Sequence, residues 1–142
     1  MVENSKSTDL NLLAETFDLI SRSEDFQATA DIIFKFVKRF IKLDMAVIYK
    51  INDKENILEI VSCLGTDTDK LKKRMPFKIG EGAVGLVAKN KKPILIKDVL
   101  ESNQIKVRQY YNEDPIIRSF LAVPLVVGNK SIGILSVSSS NI

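Results

Sequence analysis

At 142 residues the chain is long enough to bury one real core and too short for two domains with independent cores. A net charge of +3 demands no polyanionic partner, and one cysteine, Cys63, excludes an internal disulfide framework and fits a reducing compartment. With no histidine there is no Ser-His or Cys-His nucleophile pair, no histidine-ligated haem and no histidine-containing zinc site.

No apolar run approaches the ~20 residues that span a bilayer. Met1 to Ser7 carries no apolar signal core, so a cytoplasmic protein is expected. The first helix is predicted over Asp9 to Ser21, where Leu10, Leu13, Phe17 and Ile20 form one narrow apolar stripe at 3-4-3 spacing. Such a stripe packs on the domain's own core or pairs with its copy in a dimer. Ser21 with Glu24 forms a candidate capping box for a second helix. Phe26, Ala30, Ile33, Val37 and Phe40 repeat at helical spacing, with Phe34, Phe36 and Ile41 widening the stripe as far as Leu43, so this helix is expected against a sheet.

From Met45 to Ile51 the pattern turns to β, Asn52 to Asn56 reads as a turn, and Ile57 to Leu64 supplies the returning strand. Thr66 or Asp67 is expected to cap a short helix. The Asp67-Thr68-Asp69 pair is no EF-hand, since the glycine and distal glutamate of that loop are missing.

Gly80-Glu81-Gly82-Ala83-Val84-Gly85 is expected to turn sharply and present N–H groups at the start of a helix over Ala83 to Lys89. As a string it is G-x-G-x-x-G, with Asp98 near the position of a ribose-binding acid. The dinucleotide reading fails on context, because a hairpin follows instead of further strand–helix–strand units. The kinase glycine-loop reading fails for want of an H-R-D motif. Glu81 is placed to favour the helix N-terminus through the macrodipole, and Asp98 to cap a turn.

Asn90 to Pro93 breaks that helix, and Ile94 to Ile96 reads as a short strand. Leu100 to Pro115 is a long aperiodic connection of the kind that forms lids and binding loops. Phe120 to Val127 and Ser131 to Ser138 form a hairpin across Gly128-Asn129-Lys130, with Pro124 marking a bulge or an edge. Basic clusters at Lys70 to Arg74, at Lys89 to Lys92 and along Lys35, Lys38, Arg39 and Lys42 read as solvated helix faces, with no nucleic-acid role expected. Cys63 lies in a strand pattern, facing the pocket or the core; a buried cysteine mostly behaves as a small hydrophobe, with a redox or ligand-sensing role as the lesser alternative.

Four motifs in order carry a family resemblance. Ile79 to Ala88 matches I-G-x-G-x-x-G, Pro93 to Val99 matches P-x-x-I-x-D-V, Arg118 to Leu125 matches R-S-x-L-x-V-P-L, and Ile132 to Val137 carries G-x-L. Together they resemble a GAF domain, from about Asp25 onward. The resemblance implies an α/β (α+β), GAF/PAS-like fold. Its central antiparallel sheet of about five or six strands would carry helices on one face and a ligand-pocket cap on the other. It divides the chain into a signalling or dimerisation helix, residues 1–22, and a sensory domain, residues 23–142, lacking the family's C-terminal helix and so a fragment of a larger protein.

The implied function is that of a non-catalytic regulatory sensor. It would bind a small-molecule effector and relay the signal to an output domain, as a homodimer in a bacterial signalling or transcription-regulatory protein such as a nitrogen-fixation-type activator. The alternative is a ligand-free dimerisation module. Candidate pocket residues are Phe77, Gly80, Gly82, Val84, Asp98, Tyr110, Ser119, Leu121 and Val123, with Tyr49 and Cys63 on the sheet. Leu10, Leu13, Phe17 and Ile20 are the candidate dimer stripe, which agrees with the dimer bundles that helices of this family often form. The Cys-His pair of bilin-binding members is absent, and one cysteine does not supply the multi-cysteine chemistry of the methionine-sulfoxide-reducing members. Where cyclic-nucleotide-binding members carry Asn-Lys, this chain has Ser139-Ser140, so that a cyclic nucleotide stays an open alternative without its motif. No membrane and no direct nucleic-acid contact is expected.

Overall fold

The computed structural model describes residues 11, 12, 15, 25–73, 77–102 and 117–141. The candidate dimer stripe (Leu10, Leu13, Phe17 and Ile20), the Ser21–Glu24 pair, Tyr110 and most of the long connection lie outside them. The chain divides into two compact units, Met1–Ile41 and Lys42–Ile142.

In the first unit, helix α1 spans Phe26–Phe40. Its cap is Asp25, whose carboxylate accepts the Gln27 N–H at 3.0 Å, in place of the expected box at Ser21. Lys38 and Arg39 in the last turn complement the helix dipole. The helix stops at Phe40 instead of reaching Leu43, because Ile41 is already extended. Phe40 stacks on Phe36 with ring centroids 5.0 Å apart.

The second unit is one six-stranded sheet of β1 (Met45–Asn52), β2 (Ile57–Leu64), β3 (Phe77–Lys78), β4 (Ile94–Ile96), β5 (Ser119–Val127) and β6 (Lys130–Ser139), in the order β3-β2-β1-β6-β5-β4. Every pairing is antiparallel. Two short helices complete it, α2 (Thr68–Lys72) and α3 (Gly82–Asn90), making the fold α+β as the motifs imply.

Local chemistry accounts for the joints. Asp67 caps α2 by accepting the Asp69 N–H at 2.8 Å. The tip of the β5–β6 hairpin is two residues long, with Val127 paired to Lys130 and the positive φ at Gly128, as a type II′ turn requires. Pro124 satisfies both halves of its expectation. It lies one residue before a register shift at Leu125/Val126, and β4 reaches only as far along β5 as Ala122, so among the described residues β5 is an edge at Pro124.

Strand alternation divides the side chains between two faces. Met45, Val47 and Tyr49 of β1 face the same way as Leu58 and Ile60 of β2, Phe120 and Ala122 of β5, and Ile134 of β6. Val84, Val87 and Ala88 of α3 join them, with Leu71 of α2 and Phe77 of β3, in one buried cluster. The helix can come this close because Gly85 lacks a side chain, a Cβ there lying 2.3 Å from the Lys78 carbonyl oxygen.

These observations rank three substitutions by thermal or urea unfolding. Gly85→Ala is expected to destabilise the domain by about 1–3 kcal/mol through the clash, and Leu58→Ala, fully buried, by about 2–5 kcal/mol through the cavity. Leu95→Ala, at a position 63% exposed, should stay within about 0.5 kcal/mol of the parent.

Candidate functional site

The face of the sheet under α3 is apolar except along β6. Ser136 stands between Val47 and Ala122, and Ser138 between Met45 and Phe120, in the cross-strand register. Two residues apart on one strand, both hydroxyls belong to the same face. Both serines are buried, and the Ser138 hydroxyl has no hydrogen-bond partner among the described residues. Leaving a buried hydroxyl unsatisfied costs roughly 1–3 kcal/mol, so this position stands out from the surrounding core.

At the sheet's β4 side, Asp98 follows the strand and Arg118 precedes β5. The guanidinium donates twice, Nε to Oδ1 at 3.1 Å and Nη2 to Oδ2 at 2.5 Å, a bidentate ion pair. The backbone reinforces it, because the Val99 N–H donates to the Arg118 carbonyl at 2.6 Å and the Arg118 N–H to the Ser139 carbonyl at 2.8 Å. Asp98 also caps a turn through the Leu100 N–H, as expected for it. The guanidinium beside it holds the Asp98 carboxyl below its ordinary 3.8, against the opposing effect of burial. Its partner's pKa is raised by the same bond. The pair fastens together the two ends of the 103–116 connection.

A second lowered carboxyl ties the sheet's chain ends together. Asp44, just before β1, accepts the Ser140 N–H at 2.6 Å, and this bond keeps its pKa below 3.8.

The expected site residues separate into groups. Tyr49, Phe77 and Val84 lie in the cluster under α3, where Tyr49 and Phe77 meet edge to face at 5.6 Å, and Cys63 packs against it. The Cys63 thiol is 2.9 Å from the Thr68 hydroxyl and 3.3 Å from the Thr66 carbonyl, which anchors the β2–α2 joint. Gly80 and Gly82 adopt positive φ ahead of α3. The Gly80 N–H donates to the Gly85 carbonyl at 2.7 Å and the Glu81 N–H to the Lys78 carbonyl at 3.2 Å. These bonds use two of the N–H groups expected to face a ligand and tie the stretch back on itself. Glu81 is the residue ahead of α3 and lies 3.8 Å from the Lys78 ammonium.

Leu121 and Val123 correct an expectation. They pair with Val137 and Leu135 and so point to the face opposite α3, as does Ser119, whose hydroxyl donates to the Asn141 carbonyl at 2.6 Å. Their neighbours Phe120 and Ala122 are the residues of β5 under the helix. Sequence reasoning passed over Ser136 and Ser138, although two hydroxyls at i and i+2 in an apolar strand are a visible signal. It also quoted Arg118 and Asp98 in separate motifs without pairing them.

Among the described residues, no group of acidic, histidine or cysteine side chains is arranged to hold a metal ion. No helix of the described residues is long and apolar enough to cross a membrane.

An antiparallel sheet with one apolar face under short helices, two hydroxyls on that face and a bidentate ion pair at its side defines a compact α+β domain. The GAF domain profile matches residues 23–142, and the chain belongs to that family. Solved structures agree. The GAF domain of Acinetobacter phosphoenolpyruvate-protein phosphotransferase aligns with TM-score 0.76 at 21% identity, over 94% of this chain and 78% of that one. The equivalent domain from Coxiella burnetii gives 0.78 at 19%, over the same shares. The free methionine-R-sulfoxide reductase from Neisseria meningitidis gives 0.72 at 16%, over 94% and 74%. No curated protein sequence matches the chain.

Both lowered carboxyls predict a direction for acid unfolding. A group whose folded-state pKa lies below its unfolded value contributes stability that is complete above the unfolded value and is lost as pH falls through the folded one. Melting temperature should therefore hold at neutral pH and decline below the ordinary 3.8 of Asp44 and Asp98. The variant Asp98→Asn should melt lower at neutral pH and decline less steeply on acidification, as followed by circular dichroism.

Proposed function

We propose that this chain is a non-catalytic regulatory sensor domain. A small-molecule effector binds on the face of the sheet under α3, and the domain relays that event to an output domain in a bacterial signalling or transcription-regulatory protein, acting as a homodimer in the cytoplasm. The observation that carries the reading is the buried Ser138 hydroxyl without a partner among the described residues, on the α3 face with Ser136 beside it. An effector with a hydrogen-bonding group would satisfy that hydroxyl and so bind more tightly than to an apolar wall.

Tyr49, Cys63, Phe77 and Val84 supply the apolar surround, and Gly80 and Gly82 the turn that brings α3 over it. Asp98, latched to Arg118, holds the start of the connection that contains Tyr110, so a ligand that biases this latch would pass the change on through the chain. Similarity to GAF domains of phosphoenolpyruvate-protein phosphotransferases supports a regulatory role.

One observation favours the ligand-free dimerisation module instead. Tyr49 and Phe77 fill the space between them with an edge-to-face contact, as a collapsed cup would. The reductase likeness raises a third possibility, methionine sulfoxide reduction. A thiol-disulfide cycle within one chain needs a second thiol, and these 142 residues contain only Cys63.

Native mass spectrometry of the freshly purified chain tests the sensor reading, with a dimer that releases a defined compound as the expected result. Thermal shift follows with cyclic nucleotides, amino acids and 2-oxo acids, where saturation at a hundred times Kd adds about 2.7 kcal/mol. Ser138→Ala should leave the unliganded melting temperature equal or higher and reduce the ligand-induced shift. A bare species with no shift would support the structural module. Free methionine sulfoxide with a thiol reductant should yield no methionine, and turnover would replace the sensor reading with an enzyme.

A further inference from the structure

A groove of about 350 Å³ lies at the opposite end of β1 and β6 from Ser138. Its apolar lining comes from Ile51, Ile79 and Ala88, and its charged lining from Lys89, Lys91 and Lys130 with Asp53. Ile51 is six residues along β1 from Met45, the cross-strand neighbour of Ser138, which at strand rise is about 20 Å. The groove therefore lies well away from the Ser138 hydroxyl, at the other end of the same strands.

We propose that this groove is a second binding site, for a small organic anion: a phosphate or carboxylate on an apolar body. Three ammoniums against one carboxylate leave the lining with two excess positive charges. Among the described residues, Lys89, Lys91 and Lys130 make no ion pair, so their attraction for an anion is not already spent on carboxylates described there. Like charges gathered around one concavity repel, and an anion between them relieves the repulsion.

The three come from different parts of the chain. Lys89 lies in the last turn of α3, Lys91 follows the helix, and Lys130 opens β6 at the hairpin tip. Lys91 has φ +56° at the helix C-cap, a position that glycine takes most readily. A side chain is thus kept at a place where the backbone favours none. The apolar lining selects the class of anion. Ile51 and Ile79 pack against the buried cluster and Ala88 belongs to it, so this surface gains by covering a ring or alkyl group, whereas a bare inorganic ion would leave it wet. The volume is at the small end of ligand sites, which suits one ring or a short chain.

Phenyl phosphate is the probe, titrated into the ¹⁵N-labelled full chain at low salt and followed by amide chemical shifts. Saturable shifts are expected at Ile51, Ile79, Ala88 and Lys89, while Ser136 and Ser138 stay unmoved. Inorganic phosphate should bind more weakly, and neutral benzyl alcohol should produce no saturable change at these amides. The double variant Lys89→Gln/Lys130→Gln, at surface positions, should keep its melting temperature and bind phenyl phosphate roughly fivefold or more weakly. Added sodium chloride should weaken the parent's binding in the same direction. An unchanged Kd in the double variant, shifts at Ser136 and Ser138 in place of the groove, or no saturable response would each overturn the proposal. Equal affinity for inorganic phosphate would overturn the assignment of an apolar body. These results are distinguishable from binding at the Ser138 hydroxyl, since Ser136 and Ser138 report on that position and neither substituted lysine lies near it.

Discussion

The pairing of β1 with β6 is the constraint on which the rest of the second unit depends. Met45 to Lys50 lie against Ser138 to Gly133, so strands from opposite ends of the unit make the centre of the sheet. The hairpins β1–β2 and β5–β6 are local and could form alone, but an isolated hairpin is marginally stable in water. Joining them buries both inner strands at once. Asp44 secures the junction by holding the Ser140 amide and, through its own N–H, the Ser138 carbonyl at 2.9 Å. The sheet is therefore closed by a contact between residues 96 positions apart, a strongly non-local pairing.

From that junction the two faces of the sheet acquire different chemistry. The face under α3 is apolar and closely approached, and the central strand β6 contributes the hydroxyls of Ser136 and Ser138 to it. A hydroxyl without a partner is tolerated where packing on every side is strong enough to hold it, and β6 is flanked by β1 and β5. The polar features at the sheet's perimeter have other duties. Asp98 and Arg118 gather the two ends of a long connection, and Lys89, Lys91 and Lys130 surround a groove at the other end of the strands. Buried hydroxyls, fastenings and charged groove are thus distributed along the strands instead of concentrated in the glycine stretch.

Most of the fold was legible because its signals are local. The β1–β2 hairpin, the short Ile94–Ile96 strand, the Asp67 cap and the break at Pro93 each depend on a few adjacent residues, and four spaced motifs supplied the family. The phase of β5 was not legible. Phe120, Leu121, Ala122 and Val123 are all apolar, and in a strand with apolar residues on both faces alternation does not distinguish one face from the other. Register against Ser136 and Ser138 decides it, and that is a tertiary fact. The α1 cap was misread because Ser21, Glu24 and Asp25 offer competing caps within one turn. The lysine groove was invisible for a related reason: Lys89 and Lys91 read as a solvated helix end, and nothing local joins them to Lys130 forty positions away.

Pro124 has a significance beyond the geometry of its own strand. Past Ala122, β5 has no β4 beside it, and near the hairpin tip Val126 and Val127 are largely exposed. An edge unpaired among the described residues and ending in β-branched residues is a template on which another chain can add itself as a further strand. A proline in this stretch interrupts the row of amide donors, and Lys130 sets a charge at the tip. The residue that locally weakens the sheet thus withholds a donor that an incoming strand would use, which works against edge-to-edge pairing.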